Sequence, residues 1–407
     1  MVPTTIRDLS YSVLKVKADT NYKALSSAVI YGANASGKSN SLLALEFLKA
    51  LVISGNIKTQ QCIPLPLIPY FCDDCSTPIL IGIKFIYKNK LIVYEINISG
   101  TLFGDENNKS YISYEKLSIN NNPVYERKNN DLQLFSDIDS IKDDESRIII
   151  CDKAQKSLLS NELFLANGFK TLIDTDSYSL ILEWFNKGLT VIRNVNYVAT
   201  VSNYDYDYND NATIDSIKIS DEIINKIARA AGINSAEIHY LKSDKDKKPQ
   251  PISFIGDKGI IAKYIESAGT LKIINFLPIV ISTMINGGTL VVDELDSSFS
   301  PTAVFSIINA FHNNELNIHK AQLIFTTHNP VYQKAKVFRR DEIKFVEMED
   351  RASKIYSLSD FGTSGKDGVK NTSDIMTNYL TGKYGAINYV DFSDVIKEAM
   401  ELNETRG

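Results

Sequence analysis

The segment Gly32-Ala33-Asn34-Ala35-Ser36-Gly37-Lys38-Ser39 spells G-x-x-x-x-G-K-S in full, and no other feature constrains this chain as tightly. The apolar run Ala28-Val29-Ile30-Tyr31 before it predicts a buried strand, and Ser39 to Leu48 after it has the spacing of an amphipathic helix. Strand, glycine-rich turn and helix are the context this motif requires. The glycines let backbone N–H groups converge on a pyrophosphate, and the helix N-terminus adds partial positive charge. Lys38 then reaches the β- and γ-phosphates, and the Ser39 hydroxyl ligates Mg²⁺. Gly32, Asn34, Ala35, Ser36, Gly37, Lys38, Ser39 and Asn40 are therefore the expected binding residues for a nucleoside triphosphate.

A second constellation lies about 250 residues downstream. Thr289-Leu290-Val291-Val292-Asp293-Glu294 is an apolar strand ending in two carboxylates, entered through Gly287-Gly288. In a buried parallel sheet such a strand delivers its last side chains to the ligand edge. Asp293 suits the Mg²⁺ shell, and Glu294 is placed to orient or deprotonate the attacking water. Leu323-Ile324-Phe325-Thr326-Thr327-His328 repeats the geometry, and the gap from Glu294 leaves room for a helix from Thr302 to about Asn313. The two strands are expected to be parallel neighbours. His328 at that strand end can hydrogen-bond a γ-phosphate or the attacking water. Glu266-Ser267-Ala268-Gly269-Thr270 precedes an apolar helix expected from Leu271 to about Ile285, another anion-binding device.

The rest of the chain is organised around these pieces. Its 407 residues allow two or three domains, or one large α/β domain with insertions. From Pro64 to about Asn130 the pattern turns to alternating β runs, Ile79 to Tyr87 and Leu91 to Ile98 about a Lys88-Asn89-Lys90 turn, then Tyr111 to Leu117. Residues from about 150 to 240 favour helices, as in Ser179 to Phe185 and Asp221 to Ala228. The expected division is 1–63, nucleotide-binding start; 64–149, antiparallel β-lobe; 150–250, helical insertion; 251–407, remainder of the core. Tyr204 to Asn211 and Lys242 to Pro249 read as solvated loops.

Composition narrows the functional classes. A net charge of −5 gives no global attraction to nucleic acid or anionic lipid, leaving only a local basic patch open. No 18-residue apolar run and no leader with a basic start and apolar middle is evident, so a soluble, cytoplasmic protein without membrane contact is expected. Cys62, Cys72, Cys75 and Cys151 are the four cysteines; Cys72-x-x-Cys75 lacks a second ligand pair, so reduced thiols are expected rather than zinc. No N-K-x-D guanine motif is present, which disfavours a GTPase. No sustained heptads are seen, which disfavours coiled-coil arms.

Taken in order, the phosphate loop, S-x-G-T, the acidic pair, Leu295-Asp296 and His328 resemble the head of an ABC-type ATPase. The resemblance implies a P-loop α/β fold with a mainly parallel sheet, an antiparallel β-lobe and a helical insertion, and ATP and Mg²⁺ as cofactors. It implies a homodimer with composite sites, in which Ser267 and Gly269 act on the ATP held by the other subunit and Asp296 crosses the interface. Ala28 to Asn40, Arg339 to Glu347, Tyr356 to Phe361 and Tyr379 to Ile387 are similar to AAA15-type prokaryotic ATPases, related to OLD nucleases and SMC-like heads. That group implies an abortive-infection or other antiphage setting and a separate effector protein, a TOPRIM-type or RloB-like nuclease among the candidates. Relatives begin with an aromatic-containing N-F-x-S-F-like segment; none is evident here, which leaves the adenine contact unassigned. Gln60 and Gln61 stand where a Mg²⁺-sensing glutamine would, and loop polarity explains them equally well.

Three alternatives compete. A nuclease within this chain is disfavoured because only about 75 residues follow His328. A non-hydrolysing, ATP-gated scaffold is disfavoured by the presence of both acids and His328. An SMC-like DNA clamp would need arms or a basic channel.

Overall fold

The computed structural model describes residues 1–6, 9–57, 77–100, 110–135, 143–193, 205–207, 211–214, 217–230, 232, 237–241, 250–297, 299–334, 336–363, 368–370, 373–388 and 391–404. Cys62, Cys72, Cys75, Gln60, Gln61 and the 242–249 stretch lie outside the described residues, as does half of the Tyr204 to Asn211 stretch.

The core is a six-stranded sheet. In chain order its elements are β1 (Ser27–Gly32), α1 (Lys38–Ser54), β2 (Leu189–Ile192), α2 (Ala268–Asn286), β3 (Thr289–Val292), α3 (Pro301–His312), β4 (Gln322–Thr326), β5 (Ile343–Glu349) and β6 (Ala352–Ser357). The strand order is β6-β5-β1-β4-β3-β2, every neighbouring pair parallel except β5 with β6. Both faces of the central strands β1, β4 and β3 are covered, so these strands read as continuous apolar runs rather than alternating ones. Ile30, Val291 and Val346 pack toward α1, whereas Val29, Tyr31, Leu290, Val292, Leu323, Phe325 and Phe345 pack toward α2 and α3. The mainly parallel sheet expected from the sequence is present.

Beside it lies a five-stranded antiparallel meander from Ile79 to Leu134. Its turns at Lys88-Asn89 and Asn120-Asn121 have positive φ at both positions, the geometry that tight hairpins favour. Glu115, fully buried on its third strand, ties this lobe to the helical stretch that follows. Its carboxylate accepts the Tyr94 and Tyr125 hydroxyls at 2.9 and 2.8 Å and the amides of Phe164 and Leu165 at 2.7 and 2.9 Å.

The expected helical character of 150–250 is corrected in its second half. Helices run from Asp144 to Gly188, but the chain then enters β2, and strands dominate the described residues from Asp205 to Ile261. Glu237–Leu241 shows why: Ile238 and Tyr240 are buried while Glu237 and Leu241 are exposed, a period of two rather than 3.6. The absence of a long apolar run is also corrected. The 19-residue helix α2, mean hydropathy 1.6, is long and apolar enough by length and composition to cross a membrane. Phe276 and Val280 of this helix are buried against β3 and α3, and Ile274 in a smaller core with Ile224 and Ile238.

Candidate functional site

The phosphate loop joins β1 to α1 in the expected strand–turn–helix order. Ala35 and Gly37 have φ of 60° and 99°, and a Cβ on Gly32 would lie 2.5 Å from the Val346 carbonyl oxygen. Glycine is thus required at Gly32 by close approach and at Gly37 by backbone shape. The N-terminus of the 17-residue α1 has no side-chain cap and no acidic residue in its first turn, so its amides stay open to an anion. Lys38 is buried, and its Nζ donates to the carbonyls of Gly32 and Ala33 at 2.9 and 2.8 Å. Burial lowers its pKa, and the charges of Asp293 and Glu294 oppose that shift. The acids and the lysine therefore share one electrostatic neighbourhood. Ser36 Oγ is buried inside the loop without a partner. Asn34, Ala35 and Asn40 are exposed, and Ser39 is half-buried.

The acidic pair follows β3, two strands away from the loop strand. The Asp293 amide donates to the Ile192 carbonyl at 2.8 Å, so β2 helps fix the strand end. Thr326, at the end of the intervening β4, donates its hydroxyl to Asp293 Oδ1 at 2.5 Å and accepts the Glu294 amide at 2.7 Å. Glu294 has φ of 50°, a left-handed conformation that non-glycine residues seldom adopt. Its carboxylate Oε1 lies 3.6 Å from His328 Nε2, and both side chains are about half exposed, at 51% and 44%. A carboxylate and an imidazole facing solvent at the sheet edge can together position a water and move its proton.

Ser267 caps α2: its Oγ accepts the Thr270 amide at 3.1 Å and lies 2.7 Å from the Thr270 hydroxyl. Ser267 is exposed and Gly269 half-buried. Because α2 leads directly into β3, the two run antiparallel and the N-terminus of α2 points to the ligand edge. At roughly 28 Å against roughly 13 Å, the helix overshoots the strand. It also packs on the sheet face opposite α1. Asp296 is half-buried; its charge, after burial, raises the buried Tyr31 and pushes Tyr332 up to about 12.

The geometry agrees with the sequence comparison. Residues 27–332 match the family described as AAA domain, putative AbiEii toxin, Type IV TA system. The chain belongs to that family. With the parallel core and its phosphate loop, this makes the protein an AAA-type P-loop α/β protein by fold. No curated protein matches the sequence. Among solved structures, the recombination mediator protein RecF with ATP, in the RecFOR pathway, is 14% identical across 84% of this chain and 99% of that one, at a TM-score of 0.27. A likeness at that level carries no argument about activity.

A triphosphate with Mg²⁺ is what an AAA-family site implies, and these residues fit it: an uncapped helix N-terminus, a cradle that a Cβ would fill at Gly32, and an orphaned Ser36 hydroxyl. Ser39 and Asp293 are the residues that would hold the metal. Among the described residues no group of three or more His, Cys, Asp or Glu forms a separate metal site, and Cys151 is a free thiol. Sequence reasoning assigned no role to Thr326, although a threonine closing an otherwise apolar buried strand is a usable signal.

Proposed function

We propose that the protein binds and hydrolyses ATP with Mg²⁺, in sites completed by a second copy of the chain. In this reading the ATP-dependent dimer controls a separate effector in a prokaryotic antiphage, abortive-infection system. The observation that carries the enzymatic part is the geometry at the sheet edge, where Thr326 holds the Asp293 carboxylate and the Glu294 amide and Glu294 lies 3.6 Å from His328. A binding-only module has no need of a solvent-facing carboxylate held beside an imidazole.

The residues divide the work as follows. The first amides of α1 and the loop hold the phosphates, and Lys38 exchanges its two loop carbonyls for phosphate oxygens. Glu294 accepts the proton of the attacking water, and His328 orients that water or donates to the γ-phosphate. The chemistry supplied by Mg²⁺, when bound, is neutralisation of charge on the phosphate oxygens. The position of α2 supports a site shared between subunits. Ser267 sits on the face away from its own loop and beyond the sheet edge, where it is free to meet a partner's ATP.

The family description, a putative AbiEii toxin of a type IV toxin–antitoxin system, supports the biological setting, and the AAA15-type resemblance supports a separate effector, a TOPRIM-type or RloB-like nuclease being the class it suggests. The enzymatic reading is tested by steady-state phosphate release from Mg·ATP. Lys38→Ala should lose both tight nucleotide binding and turnover; unchanged affinity and rate would remove the assignment.

A further inference from the structure

The ATP reading fixes the phosphates but not the base, and the strand order limits where the base can go. The acids and His328 lie on the β4–β3 side of the loop strand, so the γ-phosphate points that way. The nucleoside must then leave on the other side, over β5 and β6. There the hairpin runs past the phosphate loop: Val346 pairs with Gly32, and Glu347, Met348 and Glu349 continue beyond it before the Asp350-Arg351 turn. On its way back β6 presses Ser353 against the loop. A Cβ on Gly37 would lie 2.8 Å from the Ser353 Cβ and closer still to its hydroxyl.

Cross-strand partners share a face of a sheet. Val346 points to the α1 side and pairs with Ile355; Met348, two residues on, pairs with Ser353. All four therefore line the α1 side. Helix α1 leans over β1 and β2, away from this edge. Val346 is fully buried, whereas Met348 and Ile355 remain 48% and 53% exposed. Two large apolar side chains flank a serine that touches the phosphate loop, on a face that the described residues leave uncovered beside a phosphate site.

We propose that Met348, Ser353 and Ile355 form the shelf on which the purine ring of the nucleotide lies. This rests on the ATP reading above. Aliphatic side chains offer a flat apolar contact to either face of a base, and Ser353 offers a hydroxyl where base, ribose and phosphate meet. Side chains on the opposite face brace the hairpin, where Glu347 accepts the Tyr356 hydroxyl at 3.2 Å, and Lys354 pairs with Glu349 near the turn.

The test compares Mg·ATP with inorganic tripolyphosphate as ligands of the full chain. Met348→Ala with Ile355→Ala should weaken ATP about tenfold, the scale of losing a partly buried aliphatic contact, and leave tripolyphosphate unchanged. Met348→Leu with Ile355→Val should bind both as the parent does. Ile355→Trp adds a reporter to a chain whose one tryptophan, Trp184, is buried. Its fluorescence should change with ATP and not with tripolyphosphate. Equal weakening of both ligands, or a silent Ile355→Trp at saturating ATP, would overturn the shelf. Affinity for both ATP and tripolyphosphate left unchanged by Lys38→Ala would instead overturn the phosphate-loop assignment on which the shelf rests.

Discussion

The Thr326 hydroxyl donates to Asp293 Oδ1 at 2.5 Å, and Thr326 Oγ1 in turn accepts the Glu294 amide at 2.7 Å. One side chain on β4 thus fixes both the carboxylate suited to the metal and the backbone of the proposed general base. The contact exists because β3 and β4 are in parallel register, Val292 opposite Phe325, which brings the two strand ends level. Thr326→Val keeps the shape and removes donor and acceptor together, leaving a partly buried amide unpaired. Phosphate release should fall roughly tenfold to hundredfold, the scale of losing about 1–3 kcal/mol. Thr326→Ser should retain most of the rate; if Thr326→Val turns over normally, the clamp has no role in the chemistry.

That clamp shows where sequence reading stops. β1, β3 and β4 were legible because strands buried on both faces are plain apolar runs, each ending in chemistry-bearing residues. The hydroxyl of Thr326 was visible, but its partners depend on register between strands more than 30 residues apart in sequence. β2 escaped because its four residues follow directly on an amphipathic helical stretch and carry no polar signal of their own. Glu115 reads as a solvated charge in an alternating strand, and only the fold shows it buried and taking four hydrogen bonds. The strands between Asp205 and Ile261 are short, and their flanks resemble loops. Ser353 gave no sign at all, since its importance lies in contact with Gly37 across a sheet edge.

Glu294→Gln should separate binding from chemistry. The amide keeps the size of the carboxylate and cannot take a proton. ATP affinity measured by equilibrium dialysis should be retained, while single-turnover hydrolysis slows by a factor on the order of 10² or more. Removing the negative charge facing the γ-phosphate should also favour the closed, ATP-bound dimer on size exclusion. A variant that turns over at the parental rate would show that another group takes the proton.

The base of the sheet makes a pH prediction. Asp341 is buried with Arg339 at 2.8 Å and accepts both the amide and hydroxyl of Thr4, at 2.7 and 2.8 Å. Burial raises its pKa, but the hydrogen bonds from Arg339 and Thr4 outweigh that and hold it below the usual value. A depressed carboxylate stabilises the fold above its unfolded pKa, about 3.9, and that contribution is lost as pH falls through the folded value. Asp341→Asn, which removes the negative charge that balances a buried guanidinium, should cost about 3–5 kcal/mol at neutral pH. Urea midpoints at pH 7 and near pH 3 check the sign: the gap between parent and variant should shrink in acid. A gap of equal size at both would mean the carboxylate is not the source.

The shared site makes the most demanding prediction. If Ser267 serves the ATP of a partner, activity per chain should fall on dilution, because a monomer cannot complete the site. Lys38→Ala damages the loop that holds ATP, and Ser267→Arg damages the helix end that closes on it. Each homodimer then carries one lesion in both of its sites and should be inactive. In a mixed dimer the Lys38→Ala loop faces the Ser267→Arg helix, so one site carries both lesions. The other site pairs an intact loop with an intact helix end. Mixing equal amounts should give half heterodimers, each with one working site, and so about a quarter of parental phosphate release. That estimate assumes random exchange and independent sites of the kind that are additive when distant. Heterodimer formation is checked first, with two differently tagged chains. Activity in the mixture no higher than either mutant alone, with heterodimers demonstrated, would mean that each subunit completes its own site or that both sites must fire together; a dilution series on the parent then separates those two, since only the first is insensitive to concentration.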